Sequence, residues 1–219
     1  MSESVKWISD DLQYHKEDKW GWIIYRTTYN DDAAWELFKD RINKWTRIDD
    51  PDAPPAVLRG MDWTFISDRS TLDGASREQL RERFRAWRKT AVQAENPRRD
   101  PAVTFMSGRY RFFLQVDEES LQSVVEGDGN VLDGSWVNLV RCDDEMDEYI
   151  QSVEEDKERD IREPWDQEDE ELGTPPKPED EWWMMVSTDM IGAEFYTIMV
   201  PPLEIWWIYY REPPEVLWS

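Results

Sequence analysis

The negative charge of this chain is concentrated in one stretch. Residues 143–181 contain 19 Asp and Glu against 4 Lys and Arg, so this stretch carries −15 of the total net charge of −23. The other 180 residues together carry only −8. A segment with so many like charges cannot bury enough apolar surface to form a core of its own. The sequence therefore predicts a single domain, residues 1–142 and 182–219, interrupted by an acidic insertion at 143–181.

The chain has the aromatic side chains that a large core requires. It contains 14 Trp, 8 Tyr and 7 Phe, and each buried aromatic side chain removes roughly 150–250 Å² from water. At 219 residues, a single domain buries roughly 70% of its unfolded surface. Length and composition thus favour one tryptophan-rich domain.

Segments rich in β-branched and aromatic residues predict four strands before the insertion. These strands cover residues 20–28, 60–67, 109–116 and 135–141. Three helices are predicted where an N-cap residue precedes apolar side chains at three- and four-residue steps. These helices cover residues 32–45, with Asp32 as the N-cap, 76–92, and 117–125, with Asp117 as the N-cap. Ser76 and Gln79 have the spacing of a capping box, which marks the start of the second helix.

The order of these elements favours an α+β fold with a ferredoxin-like antiparallel sheet. If helix 76–92 is an excursion between strands 2 and 3, the remaining order is strand, helix, strand, strand, helix, strand. The alternative treats all three helices as crossovers and predicts a parallel α/β sheet. The antiparallel arrangement is preferred because the strands alternate, whereas parallel strands covered on both faces are continuously apolar.

The acidic insertion has two halves with different patterns. Residues 145–162 predict a helix, because Glu and Arg four residues apart accompany a narrow apolar stripe at helical spacing. The stripe consists of Met146, Tyr149, Ile150 and Val153. An amphipathic helix of this kind can lie in a partner's groove, so these four residues are the predicted partner-binding residues. Residues 166–181 mix acids with Pro, Gly and Thr, and we expect them to be flexible.

A Trp-rich C-terminal element follows the insertion. Residues 182–187 and 195–200 predict two further strands. Residues 205–210 are all apolar or aromatic, and an exposed patch of that size would be an aggregation or binding surface. We therefore expect this element to dock on the main domain.

Several short motifs of the chain resemble those of one group of proteins. They are Trp20–Arg26 followed by Asp31–Trp35, Arg83–Trp87, Arg109–Phe112 with Val116 and Asp117, and Tyr209–Pro214. In this combination the chain, apart from its acidic insertion, resembles uncharacterised intracellular proteins of filamentous ascomycete fungi. The resemblance implies a fungal, intracellular origin, and it identifies no catalytic residue.

Histidine and cysteine, which supply many catalytic bases, nucleophiles and metal ligands, are sparse in this chain. His15 is the only histidine and Cys142 the only cysteine. A dyad of the two is formally possible, but a thiol that follows a strand is ordinarily a buried one. The nine glycines include no common phosphate-binding loop. We therefore predict no catalytic residue, no bound metal and no cofactor, and we lean towards a protein that is not an enzyme.

Strand alternation indicates an alternative site. Trp20, Trp22 and Arg26 share one face of the first strand, and Arg109 and Arg111 share one face of the third. If these faces form one open surface, arginine forks and aromatic rings suit an anionic or planar ligand. The alternative function is thus a small-molecule-binding protein or enzyme with an Arg/Trp-lined pocket. In the competing interpretation, the C-terminal element covers this face and the arginines pair with local acids.

Charge restricts the partners of this chain. A net charge of −23 repels nucleic-acid phosphates and anionic lipid, so we expect neither nucleic acid nor membrane as a partner. The chain starts without a signal-peptide pattern and has a single cysteine, which leads us to expect a cytoplasmic protein. The predicted function is a non-catalytic protein-interaction module that binds a basic protein partner. Nothing in the sequence indicates an oligomeric state.

Overall fold

The described strands form a six-stranded mixed sheet. In the computed structural model, which describes residues 1–100, 107–127, 134–142, 182–199 and 203–218, the strands are β1 (Ile23–Arg26), β2 (Thr64–Ile66), β3 (Phe112–Val116), β4 (Trp136–Arg141), β5 (Trp183–Ser187) and β6 (Val216–Leu217). Their order across the sheet is β2-β1-β3-β4-β5-β6. β1 is parallel to β2 and β3, β4 is antiparallel to β3 and β5, and β6 is parallel to β5.

Eight α-helices accompany the sheet within the described ranges. They are α1 (Glu3–His15), α2 (Asp32–Trp45), α3 (Pro55–Gly60), α4 (Arg69–Leu72), α5 (Arg77–Glu95), α6 (Glu118–Glu126), α7 (Ala193–Ile198) and α8 (Leu203–Tyr209). A short 3₁₀ turn, Gly108–Tyr110, precedes β3.

Helices cover both faces of the sheet. On one face, α1, α2, α3, α6, α7 and α8 contribute to a larger core that includes Trp22 and Ile24 of β1. On the other face, α4 and α5 contribute to a smaller core that includes Ile23, Tyr25 and Phe113. Successive residues of β1 therefore alternate between two cores, and the whole strand is buried. This double coverage is typical of the parallel part of a sheet.

The predicted α+β class is confirmed in its broad form, a mixed sheet with helices, but the ferredoxin-like arrangement is not. That arrangement needs an antiparallel sheet with its helices on one face, whereas β1 is parallel to both of its neighbours. The difference arises from α5, which the prediction left out of the strand order. It buries Leu80 and Phe84 in the smaller core and connects β2 to β3 across the second face. The alternative of a parallel sheet is correct for β1, β2 and β3 only.

Local capping signals predicted two helices well. The Ser76 hydroxyl accepts from the Gln79 N–H, and the Gln79 side chain accepts from the Ser76 N–H, so the capping box at the start of α5 is confirmed. Asp117 caps α6, as predicted. The N-cap of α2 is Asp31 instead of Asp32.

Five of the eight described helices, α1, α3, α4, α7 and α8, were not predicted, and two of them show why. The polar stretch before β1 forms α1, which buries Val5, Ile8 and Leu12. The strand predicted at 195–200 is replaced by α7, in which both Phe195 and Tyr196 are buried. Adjacent residues of a strand point to opposite faces, but adjacent residues of a helix can both face one core. The helix therefore brings both rings into the larger core.

Candidate functional site

The predicted partner-binding stripe lies outside the described residues. This applies to Met146, Tyr149, Ile150 and Val153, and to the predicted helix 145–162 and flexible segment 166–181. The structure does describe the two residues that flank the acidic insertion, Cys142 and Trp182.

The residues of the alternative ligand site do not form one surface. β1 and β3 pair with Ile23 opposite Phe113, and both of these residues belong to the smaller core. Trp22 belongs to the larger core on the other face. Because side chains alternate along a strand, the face of β3 that was predicted to adjoin Trp22 points away from it. The prediction of a shared aromatic and arginine surface was therefore wrong.

Trp20 and Trp22 are structural residues of the larger core. Both are fully buried, and their indole N–H groups donate to the carbonyls of Val57 and Ile191 at 2.7 and 2.8 Å. The two rings meet Tyr196 edge to face at centroid distances of 5.3 and 4.9 Å. Burial raises the pKa of Tyr196, so its hydroxyl stays neutral. These side chains have their polar atoms satisfied and offer no open face.

Arg109 is buried, and it is the centre of an ion-pair network with half-buried partners. Its guanidinium donates to both carboxylate oxygens of Glu95 at 2.8 and 3.0 Å, to Asp62 Oδ2 at 3.2 Å and to the Thr64 hydroxyl at 2.9 Å. Lys19 reaches the same Asp62 oxygen at 2.6 Å. Burial alone would raise the pKa of Glu95 and Asp62. Arg109 outweighs burial and lowers the pKa of Glu95, and the Lys19 ammonium and Arg109 together lower that of Asp62. The two carboxylates balance the positive charge of Arg109, and its N–H groups are engaged within the protein and do not face a ligand.

Arg26 and Arg111 are also buried. Arg26 donates to the Thr28 carbonyl at 2.7 Å, pairs with Asp32 at 2.7 Å, and places its guanidinium over the Tyr29 ring at 4.3 Å. Arg111 lies over the ring of Phe112 at 5.6 Å. Both arginines thus contact neighbouring residues, and Arg26 pairs with a local acid as the competing interpretation predicted. Ligand binding at the Trp and Arg residues of the alternative site stays a prediction.

The residues that flank the acidic insertion are held together in the sheet. The Arg141 N–H donates to the Trp182 carbonyl at 2.8 Å, and the Cys142 N–H donates to the Arg111 carbonyl at 2.8 Å. We call residues 141, 142 and 182 the root of the insertion. The chain leaves the sheet and returns to it at neighbouring positions of β4 and β5.

Two buried arginines of α5 hold the root from the second face. Arg81 donates to the carbonyls of Arg141 and Trp182 at 3.3 and 3.4 Å, and Arg88 donates to the carbonyl of Cys142 at 2.9 Å. Carbonyl groups beyond the paired part of a ladder need such donors when they are buried. The Cys142 thiol contacts the Arg81 carbonyl at 3.7 Å in the smaller core. His15, on α1, belongs to the opposite side of the sheet, so the structure does not bring the formal Cys142–His15 dyad together.

Exposed aromatic surface adjoins the root. The Trp207 ring of α8 lies 5.4 Å from the Trp182 ring, and Trp207 and Ile208 are 37% and 61% exposed. Their neighbour Trp206 is buried and stacks on Phe112 at 5.9 Å. We call Trp207, together with the aliphatic Ile208 beside it, the aromatic rim. One turn of α8 therefore anchors the helix with one tryptophan and presents the next to solvent.

The sequence interpretation missed a buried ion pair at the end of α1. Glu17 and Arg99 form a salt bridge with both side chains almost fully buried. Burial raises the pKa of Glu17, while Ser107 and Arg99 oppose that rise. Residues so far apart in sequence carry no local pattern, so no sequence signal could have paired them.

Other common sites are not found in the part of the chain that the structure describes. There, no group of three or more His, Cys, Asp and Glu side chains is arranged to hold a metal ion. No helix in the same ranges is long and apolar enough to cross a bilayer. Comparison of the chain with protein-family models, curated proteins and solved structures found no match.

Proposed function

We propose that this protein is a non-catalytic protein-interaction module that binds a basic protein partner through its acidic insertion and the aromatic rim. The observation that carries the proposal is the position of the insertion. The residues on either side of it, Arg141 and Trp182, are hydrogen-bonded to each other at the root, beside exposed Trp207 and Ile208. Charge and apolar surface therefore occur next to each other.

The fixed root supports this function. Arg81 and Arg88 hold the three root carbonyls from α5, so the residues on either side of the insertion are packed. A rigid base limits the conformational entropy that a binding segment loses, and a smaller loss leaves more of the contact energy as affinity.

The aromatic rim supplies the second part of the surface. Tryptophan is enriched among the residues that dominate binding energy at protein interfaces, where it is surrounded by polar groups. The apolar stripe Met146, Tyr149, Ile150 and Val153 adds a further apolar face on the insertion itself. We propose that partner contact uses the stripe and the rim together.

The charge of the insertion defines the partner. A segment with −15 attracts a basic surface and accelerates its association. Exposed charges are screened beyond about 8–10 Å at physiological ionic strength. Affinity for the partner should therefore fall as salt concentration rises, by an amount that depends on how many charges the complex pairs.

A capture experiment with matched variants tests the proposal. The full chain, a variant lacking residues 143–181, and a variant with all four stripe residues changed to Ser are immobilised, and partners are captured from native extract at low and moderate salt. The Ser variant keeps every charge of the insertion. We expect both variants to lose the partners that the full chain retains, and we expect the captured proteins to be basic.

Binding of a purified captured partner then decides the mechanism. Its affinity for the full chain should weaken with salt and should weaken in Trp207→Ala. If the deletion variant captures the same partners with unchanged affinity, the insertion is not the binding element and the proposal is wrong.

We place this function in the cytoplasm on the basis of the sequence resemblance and the single cysteine, which is buried. The alternative function, a small-molecule site at Trp20, Trp22 and their neighbouring arginines, has no observation in its favour because all of these side chains are buried.

A further inference from the structure

One side of α5 carries four arginines in a single row. Their spacing of four, four and three residues places them on the same side of a helix, and they are Arg77, Arg81, Arg85 and Arg88. We call these four residues the arginine ridge. Segment 77–89 has six Lys and Arg against two Glu, a net charge of +4, whereas the remaining 167 residues outside the insertion carry −12. The ridge is thus a basic feature of an acidic chain.

The arginine ridge faces the root of the insertion. Arg81 and Arg88 donate to the root carbonyls. The Arg77 guanidinium lies 3.4 Å from the ring centre of Trp183, the residue that follows the root. Arg85 lies between Arg81 and Arg88 in the row, and 27% of its side chain is exposed. The whole row therefore borders the place where the insertion joins the sheet.

The insertion is acidic at both of its junctions with the sheet. Residues 143–148 include five Asp and Glu among six, and residues 179–181 are all Asp or Glu. They are joined directly to Cys142 and Trp182, and consecutive Cα atoms are about 3.8 Å apart. Chain connectivity therefore brings the first acids on each side within reach of the arginine ridge.

Burial makes negative charge favourable beside the arginine ridge. Arg81 is buried, and burial lowers its pKa although Glu78 opposes the change. Glu78 pairs with Arg81 at 3.4 Å and with Arg85 at 3.3 Å, but it is itself 61% exposed. An exposed carboxylate contributes little to an ion pair. A buried guanidinium gains more from carboxylates that are close and hydrogen-bonded to it.

Charge and position together identify an occupant of this surface. We propose that the arginine ridge is an intramolecular docking surface for the acidic residues at 143–148 and 179–181. Because these acids are tethered at the root, their effective concentration is roughly millimolar, and acidic groups of other molecules compete poorly. A basic protein partner then has to displace them from the ridge. That competition rests on the proposed function, whereas the docking needs no partner.

Double-mutant cycles in the full chain test the docking. Arg85→Gln removes one charge of the ridge and leaves the contacts of Arg81 and Arg88 with the root in place. It is combined with Asp143→Asn and Asp144→Asn at one junction and, in a second cycle, with Glu179→Gln and Glu181→Gln at the other. Denaturant unfolding gives the unfolding constants. In at least one cycle the combined effect should differ from the product of the separate effects by about two- to fivefold, as for a partly exposed ion pair.

Matched variants separate local pairing from a general effect of charge. Arg83→Gln makes the same charge change on the opposite side of α5, where Arg83 donates to the Thr71 carbonyl at 3.0 Å. Asp166→Asn with Glu168→Gln removes two charges from the insertion far from both junctions in sequence. Cycles that use either control should be additive.

Affinity for the captured basic partner tests the competition. Arg85→Gln should bind this partner about two- to fivefold more tightly than Arg83→Gln does. The two variants change the net charge equally, but only Arg85→Gln weakens the docking that the partner has to displace.

Two outcomes would overturn the inference. Additive effects of Arg85→Gln in both cycles would show that the acids do not bind the arginine ridge. Equal partner affinity of Arg85→Gln and Arg83→Gln would show that the ridge does not compete with the partner. If no basic partner is captured at all, the proposed function fails, and the cycles alone decide whether the docking exists.

Discussion

The backbone N–H of Arg141 donates a 2.8 Å hydrogen bond to the carbonyl of Trp182, although the whole acidic insertion lies between them in sequence. The contact extends the β4–β5 ladder one step beyond its last pair, Val140 and Trp183. Two antiparallel strands whose ends meet in this way can be joined by a short turn. The insertion therefore occupies the place of a hairpin loop.

Replacing residues 143–181 by a turn of about four residues should leave the domain folded. It should also raise the free energy of unfolding by about 2 kcal/mol, because the entropy lost on closing a loop grows with the logarithm of its length. Removing −15 of charge lessens self-repulsion in the same direction. Denaturant unfolding followed by tryptophan fluorescence shows whether the variant is folded and measures its free energy of unfolding. Loss of a cooperative transition would show that the insertion belongs to the core.

Adjacent tryptophans of α8 should respond differently to alanine substitution. Trp206→Ala should lower the free energy of unfolding by about 3–5 kcal/mol, because it leaves a cavity against Phe112 in the larger core. Trp207→Ala should lower it by about 1 kcal/mol or less, because Trp207 is partly exposed. Chemical denaturation of the two variants side by side is the measurement. Similar losses would mean that α8 is packed differently from the structure.

The Arg109 network should make the protein sensitive to acid. Arg109 lowers the pKa of Glu95 below its ordinary value of 4.5 even though burial acts in the opposite direction. Below that value the unfolded chain binds the proton more readily than the folded one, so stability is present above pH 4.5 and falls as the pH falls through the folded pKa. The Glu95→Gln variant has no carboxylate to protonate at this position. Its free energy of unfolding should therefore fall less than that of the wild type as the pH drops below 4.5.

Unfolding free energies of the wild type and Glu95→Gln at a series of pH values below neutral test this sign. At neutral pH the variant should be less stable by about 2 kcal/mol, because a hydrogen-bonded charge is gone. Asp62→Asn is the matched variant, since Arg109 and Lys19 also lower the pKa of Asp62 from 3.8. If both variants keep the acid slope of the wild type, the network does not carry the acid sensitivity.

Two glycines with positive φ provide a test of backbone geometry. Gly21 has a φ of +108°, and a Cβ atom there would lie 2.7 Å from the Asp62 carbonyl oxygen. Gly74 has a φ of +68° with no neighbouring atom within 4 Å. Gly21→Ala should therefore destabilise the protein by about 3 kcal/mol or more, whereas Gly74→Ala should cost about 1 kcal/mol, from backbone strain alone. Melting temperatures of the two variants compare them directly, and equal shifts would contradict the close approach at Gly21.

The parts of the fold that were predictable from sequence are those that local chemistry decides. Ser76 and Gln79 mark the start of α5, and Asp117 marks that of α6, because caps act over three residues. The direction of β1 relative to β3 was not predictable in this way. It depends on where α5 packs, and that is decided by contacts between residues far apart in the chain, such as Phe84 with Phe113.

The candidate sites follow the same division. The acidic insertion is visible in composition alone, whereas the root is a set of backbone groups whose donors, Arg81 and Arg88, come from a distant helix. The Glu17–Arg99 pair exists only once the segment that follows α1 and the segment that follows α5 are folded beside each other. Alternation correctly placed Trp20 and Trp22 in one core, but Arg109 lies in the 3₁₀ turn before β3, where strand alternation does not apply. Alternation also could not determine the register that places Phe113 opposite Ile23.

The position of β4 has a consequence for synthesis of the chain. β4 pairs with β3 on one side and with β5 on the other, and the ribosome translates the whole acidic insertion between making β4 and making β5. At about 5–20 residues per second, this interval lasts roughly 2–8 seconds. During it the second hydrogen-bonding side of β4 has no partner and can pair with another nascent chain. The segment that emerges in this interval repels its own copies on neighbouring ribosomes, so we expect it to protect the half-made sheet from aggregation until β5 arrives.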